Sequence, residues 1–422
     1  MKRIVDNQNF TIFINERIVI SNVCPYYAMF SQWIVFLHKR LTVTMKTSVY
    51  ILVCVVGSVC IFYFIFLSAR YEIVNERLKH VFPLYRYINL TVDHNDTALR
   101  SPICLKPTQR QFVMLWYKRP AWVPEVDPFS SLNFFCECQN CKVTFNTTDI
   151  ANCDLVIFHH NEFPIQAPSH KTSSQIWVFA SWESVFYTNK QYQQSTWINK
   201  FDWTTSYRRD SEGYAPYGEI IPRKILESKN YSSIFARKSK SVAWIVSHCK
   251  ANSNRMAYVK KMSKYIDIDV YGKCGKYTCD DNKDCKKQLS GSYKFYLAFE
   301  NSLCKEYTTE KLFSLFQEDF NIIPVVRGAP DTVSIVPSNT YISTSDFNTP
   351  KSLALYLSKV ASNETLYLSF LKEKDRFSVR SLRLHNYGMC SLCKQLNNNY
   401  TRQTPLDIND WYTNQCVSVT DM

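Results

Sequence analysis

Glu310 and Lys311 stand where a polar loop turns into a helix just after an apolar run, a placement suited to anion chemistry. The run Phe295-Tyr-Leu-Ala-Phe reads as a buried strand, and Thr308 or Thr309 reads as a helix cap. Leu312, Leu315, Phe316 and Phe320 then form an apolar stripe, which predicts a helix over residues 310–320. In open α/β sheets, ligands bind beyond the carboxyl ends of strands and beside helix N-termini. A carboxylate there can hold ribose hydroxyls, and an ammonium can neutralise a diphosphate. A capped surface helix with an ordinary Glu-Lys pair fits the same spacing, so on pattern alone the two readings stand level. With 8 glycines in 422 residues and no Gly-x-Gly-x-x-Gly or Walker loop, the standard dinucleotide oxidoreductase and P-loop kinase designs are excluded.

The elements that must position this pair alternate strand and helix from Gln111 onward. Residues 112–117, 155–158 and 176–180 are buried-strand candidates. The polar stretch 227–240 reads as a linker, after which the pattern restarts. Strands are expected at 242–246, 268–271, 295–299 and 322–326, with a helix over 255–265. This alternation implies an α/β fold with parallel sheets, arranged as two domains with a cleft between them.

Residues 49–68 are uncharged, almost wholly apolar and long enough to span a bilayer. Lys39, Arg40 and Lys46 precede them, which places the N-terminus in the cytosol. The length of the span and the lack of a small-residue cleavage site favour an uncleaved anchor over a signal peptide. Met45 is the expected true start. Residues 18–37, apolar but interrupted by Asn22 and Pro25, are the alternative second membrane segment. Residues 70–107 read as a polar stem. Three of the 16 cysteines lie before or within the span, and thirteen follow it, which suggests disulfides and an oxidising lumen. The odd number leaves at least one unpaired or bonded to another chain. Asn89, Asn95, Asn146, Asn230, Asn363 and Asn399 each begin an Asn-x-Ser/Thr triplet, all beyond the span. The formal charge of +14 is spread along the chain without a long basic run, so nucleic acid is not an expected partner.

Several segments carry a resemblance. Phe299-Glu-Asn-Ser302 leads to Tyr307-Thr-Thr-Glu-Lys311 and then to Pro324-Val-Val-Arg-Gly328. Before it come His159-His160, Trp182-Glu183-Ser184, Phe201-Asp-Trp-Thr-Thr-Ser-Tyr-Arg-Arg-Asp-Ser211, Pro216-Tyr-Gly218, and Trp244-Ile-Val-Ser-His248 with Asn254-Arg255; Cys390-x-x-Cys393 follows. In type and order these resemble the α1,3/α1,4-fucosyltransferase family over residues 111–393. Val185 stands where the family usually has proline, and residues 317–321 replace a glycine-containing stretch. Ser292-Tyr293 occupies a position where vertebrate members often have cysteine. The cysteines at 274, 279, 285 and 304 are similar to those of invertebrate and plant core-type members.

The resemblance implies two facing Rossmann-like domains (GT-B type) behind an N-terminal transmembrane helix and stem. The expected boundaries are a cytosolic tail at 1–48, an anchor at 49–68 and a stem at 69–108. An acceptor-side domain is expected at 109–235, a GDP-fucose-binding domain at 236–393 and a C-terminal tail at 394–422. It implies GDP-fucose as donor, inversion at the fucose anomeric carbon, a GlcNAc-containing glycan as acceptor with α1,3 linkage, and a single-pass type II protein of the Golgi membrane. Glu183 matches the general base. Arg255 and Lys311 match the cations on the donor diphosphate, and Glu310 the ribose ligand. Asn301 and Tyr307 shape the pocket. Of Arg208 and Arg209, one faces the donor and the other pairs with Asp210; Arg208 is assigned to the donor. No cofactor is required, and a divalent metal is at most stimulatory. Asp267-Ile-Asp269, the one Asp-x-Asp pair, lies in an apolar strand and reads as structural. The rival readings are a glycosyltransferase of the same fold with another nucleotide sugar, and a non-enzymatic glycan-binding membrane protein.

Overall fold

The computed structural model describes Cys104 and, with short breaks, residues 110–421, which fall in one compact unit. The tail, anchor and most of the stem lie outside the described residues. No helix among those described is long and apolar enough to cross a membrane.

Six strands form the first sheet: β1 (Phe112–Trp116), β2 (Cys141–Thr144), β3 (Leu155–His159), β4 (Ile176–Ser181), β5 (Trp203–Ser206) and β6 (Gly213–Tyr214). They are all parallel, in the order β2-β1-β3-β4-β5-β6. Strand periodicity of two divides their side chains between two cores. Met114, Leu155, Ile157 and Val178 face one core, while Leu115, Val156, Phe158, Trp177 and Phe179 face the other. The expected helices between these strands are absent among the described residues. Short 3₁₀ turns at Thr147–Asn152, Val185–Tyr187, Lys190–Gln193 and Ser195–Trp197 take their place. Asn146 and Asn189 cap two of these turns, and Trp197 is buried in another.

After β7 (Gly218–Pro222) and α1 (Tyr231–Ala236), which lies inside the predicted linker, a second parallel sheet begins. It contains β8 (Lys240–Ile245), β9 (Ile268–Tyr271), β10 (Tyr293–Phe299), β11 (Ile323–Arg327) and β12 (Ile342–Ser343), in the order β12-β11-β10-β8-β9. Helices α2 (Arg255–Met262) and α3 (Asn282–Ser292) join its first strands. The expected helix at 310–320 is shorter: α4 (Glu310–Phe313) runs into a 3₁₀ turn at Ser314–Phe316. Helices α5 (Pro350–Ser362) and α6 (Glu364–Asp375) follow, and β13 (Phe377–Ser381) pairs antiparallel with β7.

The chain then returns to the first sheet. Met389, Leu392 and Leu396 of α7 (Leu384–Asn397) pack into the core that holds Met114 and Trp116. Gly388 permits this approach, because a Cβ there would lie 2.7 Å from Thr205 Oγ1. Disulfides Cys136–Cys390 and Cys141–Cys393 fix α7 beside β2, so the Cys-x-x-Cys pair is bonded to two distant cysteines, not to itself. Cys104–Cys138, Cys249–Cys274, Cys279–Cys285 and Cys304–Cys416 are the other bridges among the described residues; Cys153 is free and buried. Residues beyond 393 do not form a loose tail: Leu406, Ile408, Trp411 and Tyr412 complete the opposite core of the first sheet.

Candidate active site

β4 ends at Ser181, and the chain turns through Trp182, Glu183 and Ser184 into the next 3₁₀ turn. Glu183 Oε1 accepts the Ser184 N–H at 2.9 Å, the Asn301 amide at 3.2 Å and the Tyr307 hydroxyl. Asn301 and Tyr307 belong to the loop after β10 in the second sheet, so the carboxylate is held from both sides. Ser184 Oγ and Ser302 Oγ, 2.6 Å apart, join the same two loops. Burial, with Tyr217, Glu300 and Glu183 nearby, keeps the Tyr307 hydroxyl well above its ordinary pKa, so it remains a donor. Glu306, just before it, sits in the left-handed region at φ 57°. Its N–H donates to Asp331 at 2.9 Å, and its carboxylate accepts the Arg209 N–H at 2.7 Å. These bonds hold the strained residue that aims Tyr307 at Glu183.

In the second sheet the order reverses beside β8, whose neighbours are β9 and β10, so the crevice lies at the carboxyl ends of β8 and β10. Arg255 opens α2 there. Its guanidinium donates to the carbonyls of Phe299 at 2.7 Å and His248 at 3.0 Å. Glu300, 2% exposed, accepts the Thr309 N–H at 2.8 Å and pairs with Lys311 Nζ at 3.0 Å. Lys311 also reaches Thr309 Oγ1 at 2.8 Å and Glu310 at 3.3 Å. Burial disfavours its charge, but Glu300 and Glu310 outweigh burial and raise its pKa, so it is a cation at neutral pH. Asn301 Oδ1, Arg255 Nε and Thr308 Oγ1 are buried without a hydrogen-bond partner. All three stand on the elements that follow β8 and β10, and an unpaired buried polar atom is costly.

The structure thus links Glu183, Asn301, Tyr307, Lys311, Glu310 and Arg255 through direct contacts or one intervening residue. Arg208 is the correction. Its Nε donates to Asp210 at 2.9 Å, its other nitrogens bond Asp210 and the Trp411 carbonyl, and it stacks on the Trp411 ring at 4.2 Å. Those partners consume the guanidinium, so Arg208 holds the fold. Arg209 bonds Ser334 Oγ at 3.2 Å and lies 3.9 Å from the Glu306 carboxylate. Asp269 is occupied by Lys240 at 3.0 Å and by Tyr293. No group of three or more His, Cys, Asp or Glu side chains among the described residues is placed to hold a metal.

His159 and His160 lie at the end of β3, both buried. Burial lowers their pKa values to about 3 and about 4, and the neighbouring His160 adds to the effect on His159. The half-exposed Trp122 stands edge-on to His159 and Trp182, with both ring centroids 5.7 Å away. A groove of about 550 Å³ opens between Phe186 and Tyr187 on one side and Cys249 to Ala257 on the other.

Sequence reasoning missed Glu300, Ser302, Glu306 and Tyr412. The first three stand inside the block that drew attention, where a glutamate ending an apolar strand was signal enough. Tyr412 carried none.

The chain thus carries two parallel sheets, with a cation beside the carboxyl end of β10, where open α/β sheets bind ligands. The model for the N-terminal region of fucosyltransferases matches residues 108–218, and that for the C-terminal region of glycosyltransferase family 10 (fucosyltransferase) matches residues 235–411. Alpha-(1,3)-fucosyltransferase C of Drosophila melanogaster is 30% identical over 67% of this chain and 70% of its own length. Glycoprotein 3-alpha-L-fucosyltransferase A of the same fly is 30% identical over 79% of this chain and 66% of its own length. A solved α1,3-fucosyltransferase with GDP-fucose has a TM-score of 0.46 and 15% identity over 71% of this chain and 94% of that one. The chain belongs to glycosyltransferase family 10, the fucosyltransferases.

Proposed function

We propose that this chain transfers L-fucose from GDP-fucose to a GlcNAc hydroxyl of a glycoprotein or glycolipid glycan, with inversion and an α1,3 linkage. The observation that carries this reading is the meeting of Glu183, from the first sheet, with Asn301 and Tyr307 of the loop that also carries the Glu300–Lys311 pair. The acceptor oxygen attacks the anomeric carbon as the bond to the diphosphate breaks. Glu183 takes the acceptor proton through its carboxylate. Lys311 and Arg255 stabilise the negative charge that GDP carries away, and Glu310, exposed beside Lys311, holds the ribose. The name of the fly glycoprotein 3-alpha-L-fucosyltransferase supports the linkage and a glycoprotein acceptor.

Six disulfides among the described residues and six sequons beyond residue 68 fit an oxidising lumen, and the uncharged stretch 49–68 fits a type II Golgi anchor. Glu183→Gln tests the chemistry: turnover falls at least about 100-fold while GDP affinity stays within about threefold. Normal turnover of this variant sinks the base assignment. A panel of nucleotide sugars tests the donor, and preference for a sugar other than fucose sinks that choice.

A further inference from the structure

Glu183 sits in a turn, where no regular element fixes its backbone. Its carbonyl accepts from the Tyr412 hydroxyl at 2.6 Å, and the Ser181 hydroxyl lies 2.6 Å from the same tyrosine oxygen. The peptide that carries this carbonyl also carries the Ser184 N–H, which donates to Glu183 Oε1. A peptide unit is planar, so holding its carbonyl fixes the direction of its N–H. The Tyr412 hydroxyl therefore sets the plane that aims a hydrogen bond at the reactive carboxylate.

Tyr412 belongs to a segment that crosses the molecule. Leu406, Ile408 and Trp411 anchor it in the core of the first sheet, and residues Asn409–Thr413 form a single π-helical turn. It then bridges to the loop after β10: Lys305 N–H donates to the Gln415 carbonyl at 2.7 Å, Val417 N–H to the Leu303 carbonyl at 2.8 Å, and Cys416 is bonded to Cys304. At its end Asp421 pairs with Arg327, a buried residue at the end of β11. Two nitrogens of Arg327 donate to the Ser253 carbonyl at 3.2 Å. Ser253 in turn donates through its N–H to the Asn301 carbonyl at 2.9 Å and through its hydroxyl to the Glu300 carbonyl at 2.7 Å. One segment thus reaches the base through Tyr412 and the donor loop through Asp421.

We propose that residues 406–421 form a strap that positions both halves of the active site, with Tyr412 orienting Glu183 and Asp421 orienting the Ser253–Glu300–Asn301 knot through Arg327. Both are positioning residues. This inference rests on the proposed fucosyl transfer, because it assigns the strap a role in that reaction.

The test uses the intact lumenal chain with GDP-fucose and a GlcNAc-terminated oligosaccharide. Tyr412→Phe keeps the ring among Phe179 and Tyr192 and removes only the hydroxyl. It lowers kcat at least about tenfold and leaves the GDP-fucose KM within about twofold of wild type. Asp421→Asn does the opposite: it raises the GDP-fucose KM at least about fivefold with little change in kcat. Wild-type kinetics in both variants, or equal losses of kcat and KM that follow the fall in melting temperature, overturn the strap and leave the fucosyl-transfer reading intact. A wild-type chain that transfers no fucose overturns both.

Discussion

The Lys311 ammonium stands 3.0 Å from the buried carboxylate of Glu300, joining the first residue beyond β10 to the first turn of α4. The pair does two jobs. It offsets a charge that burial would otherwise penalise, and it leaves the Lys311 side chain 30% exposed and so open to an anion. Lys311→Ala leaves Glu300 without its cation. The expected loss is about 1–3 kcal/mol of stability, discounted for that exposure, together with at least about tenfold in GDP affinity. Denaturant melts and calorimetry with GDP read the two effects separately.

Arg208→Met is expected to give the contrasting result. Its guanidinium bonds Asp210 and the Trp411 carbonyl and lies over the Trp411 ring, so its loss costs about 2 kcal/mol. GDP affinity stays near wild type in calorimetry, because the guanidinium is already engaged by Asp210 and Trp411.

His159 and His160 make acid stability measurable. Their folded pKa values, about 3 and about 4, lie below the ordinary 6.5. Between those limits the unfolded chain binds protons that the folded chain excludes, so stability is full above pH 6.5 and falls as pH drops toward 4. The slope approaches about 1.4 kcal/mol per pH unit for each histidine. Melting temperatures measured from pH 7 to 4.5 should fall less steeply in His160→Gln than in the wild type.

The two bridges to α7 are expected to be strongly non-additive. Cys136–Cys390 and Cys141–Cys393 close nearly the same loop, with sequence separations of 254 and 252. With one in place, the other constrains only a few further residues. Removing both by Cys→Ala exchange costs on the order of 5 kcal/mol, and removing either alone costs much less. Thermal melts of the two double-alanine variants and the quadruple variant give the comparison.

The strands with four or five consecutive apolar residues were legible because burial on both faces of a parallel sheet demands them. Leu155, Val156, Ile157 and Phe158 are an example, all buried. The connections between them were not, because a 3₁₀ turn such as Val185–Tyr187 has too few residues to show a period. Glu183, Asn301, Tyr307 and Lys311 could be read because each lies in a run of distinctive neighbours. The role of Arg208 could not, since Arg208-Arg209-Asp210 offers two cations to one carboxylate and only packing against Trp411 separates them. Tyr412 was invisible for a simpler reason: its partner Glu183 is 229 positions away in sequence.

The return of α7 and the strap to the first sheet also imposes an order on biosynthesis. Met389 and Leu392 cover one face of that sheet, and Ile408 and Trp411 cover the other. At usual elongation rates, roughly 10–30 s separate the synthesis of β6 from that of α7. During that interval a parallel sheet with two apolar faces emerges from the ribosome without its final coverings. The first half of the chain therefore keeps apolar surface open until α7 and residues 406–412 arrive, and truncation before them strips the domain that was made first.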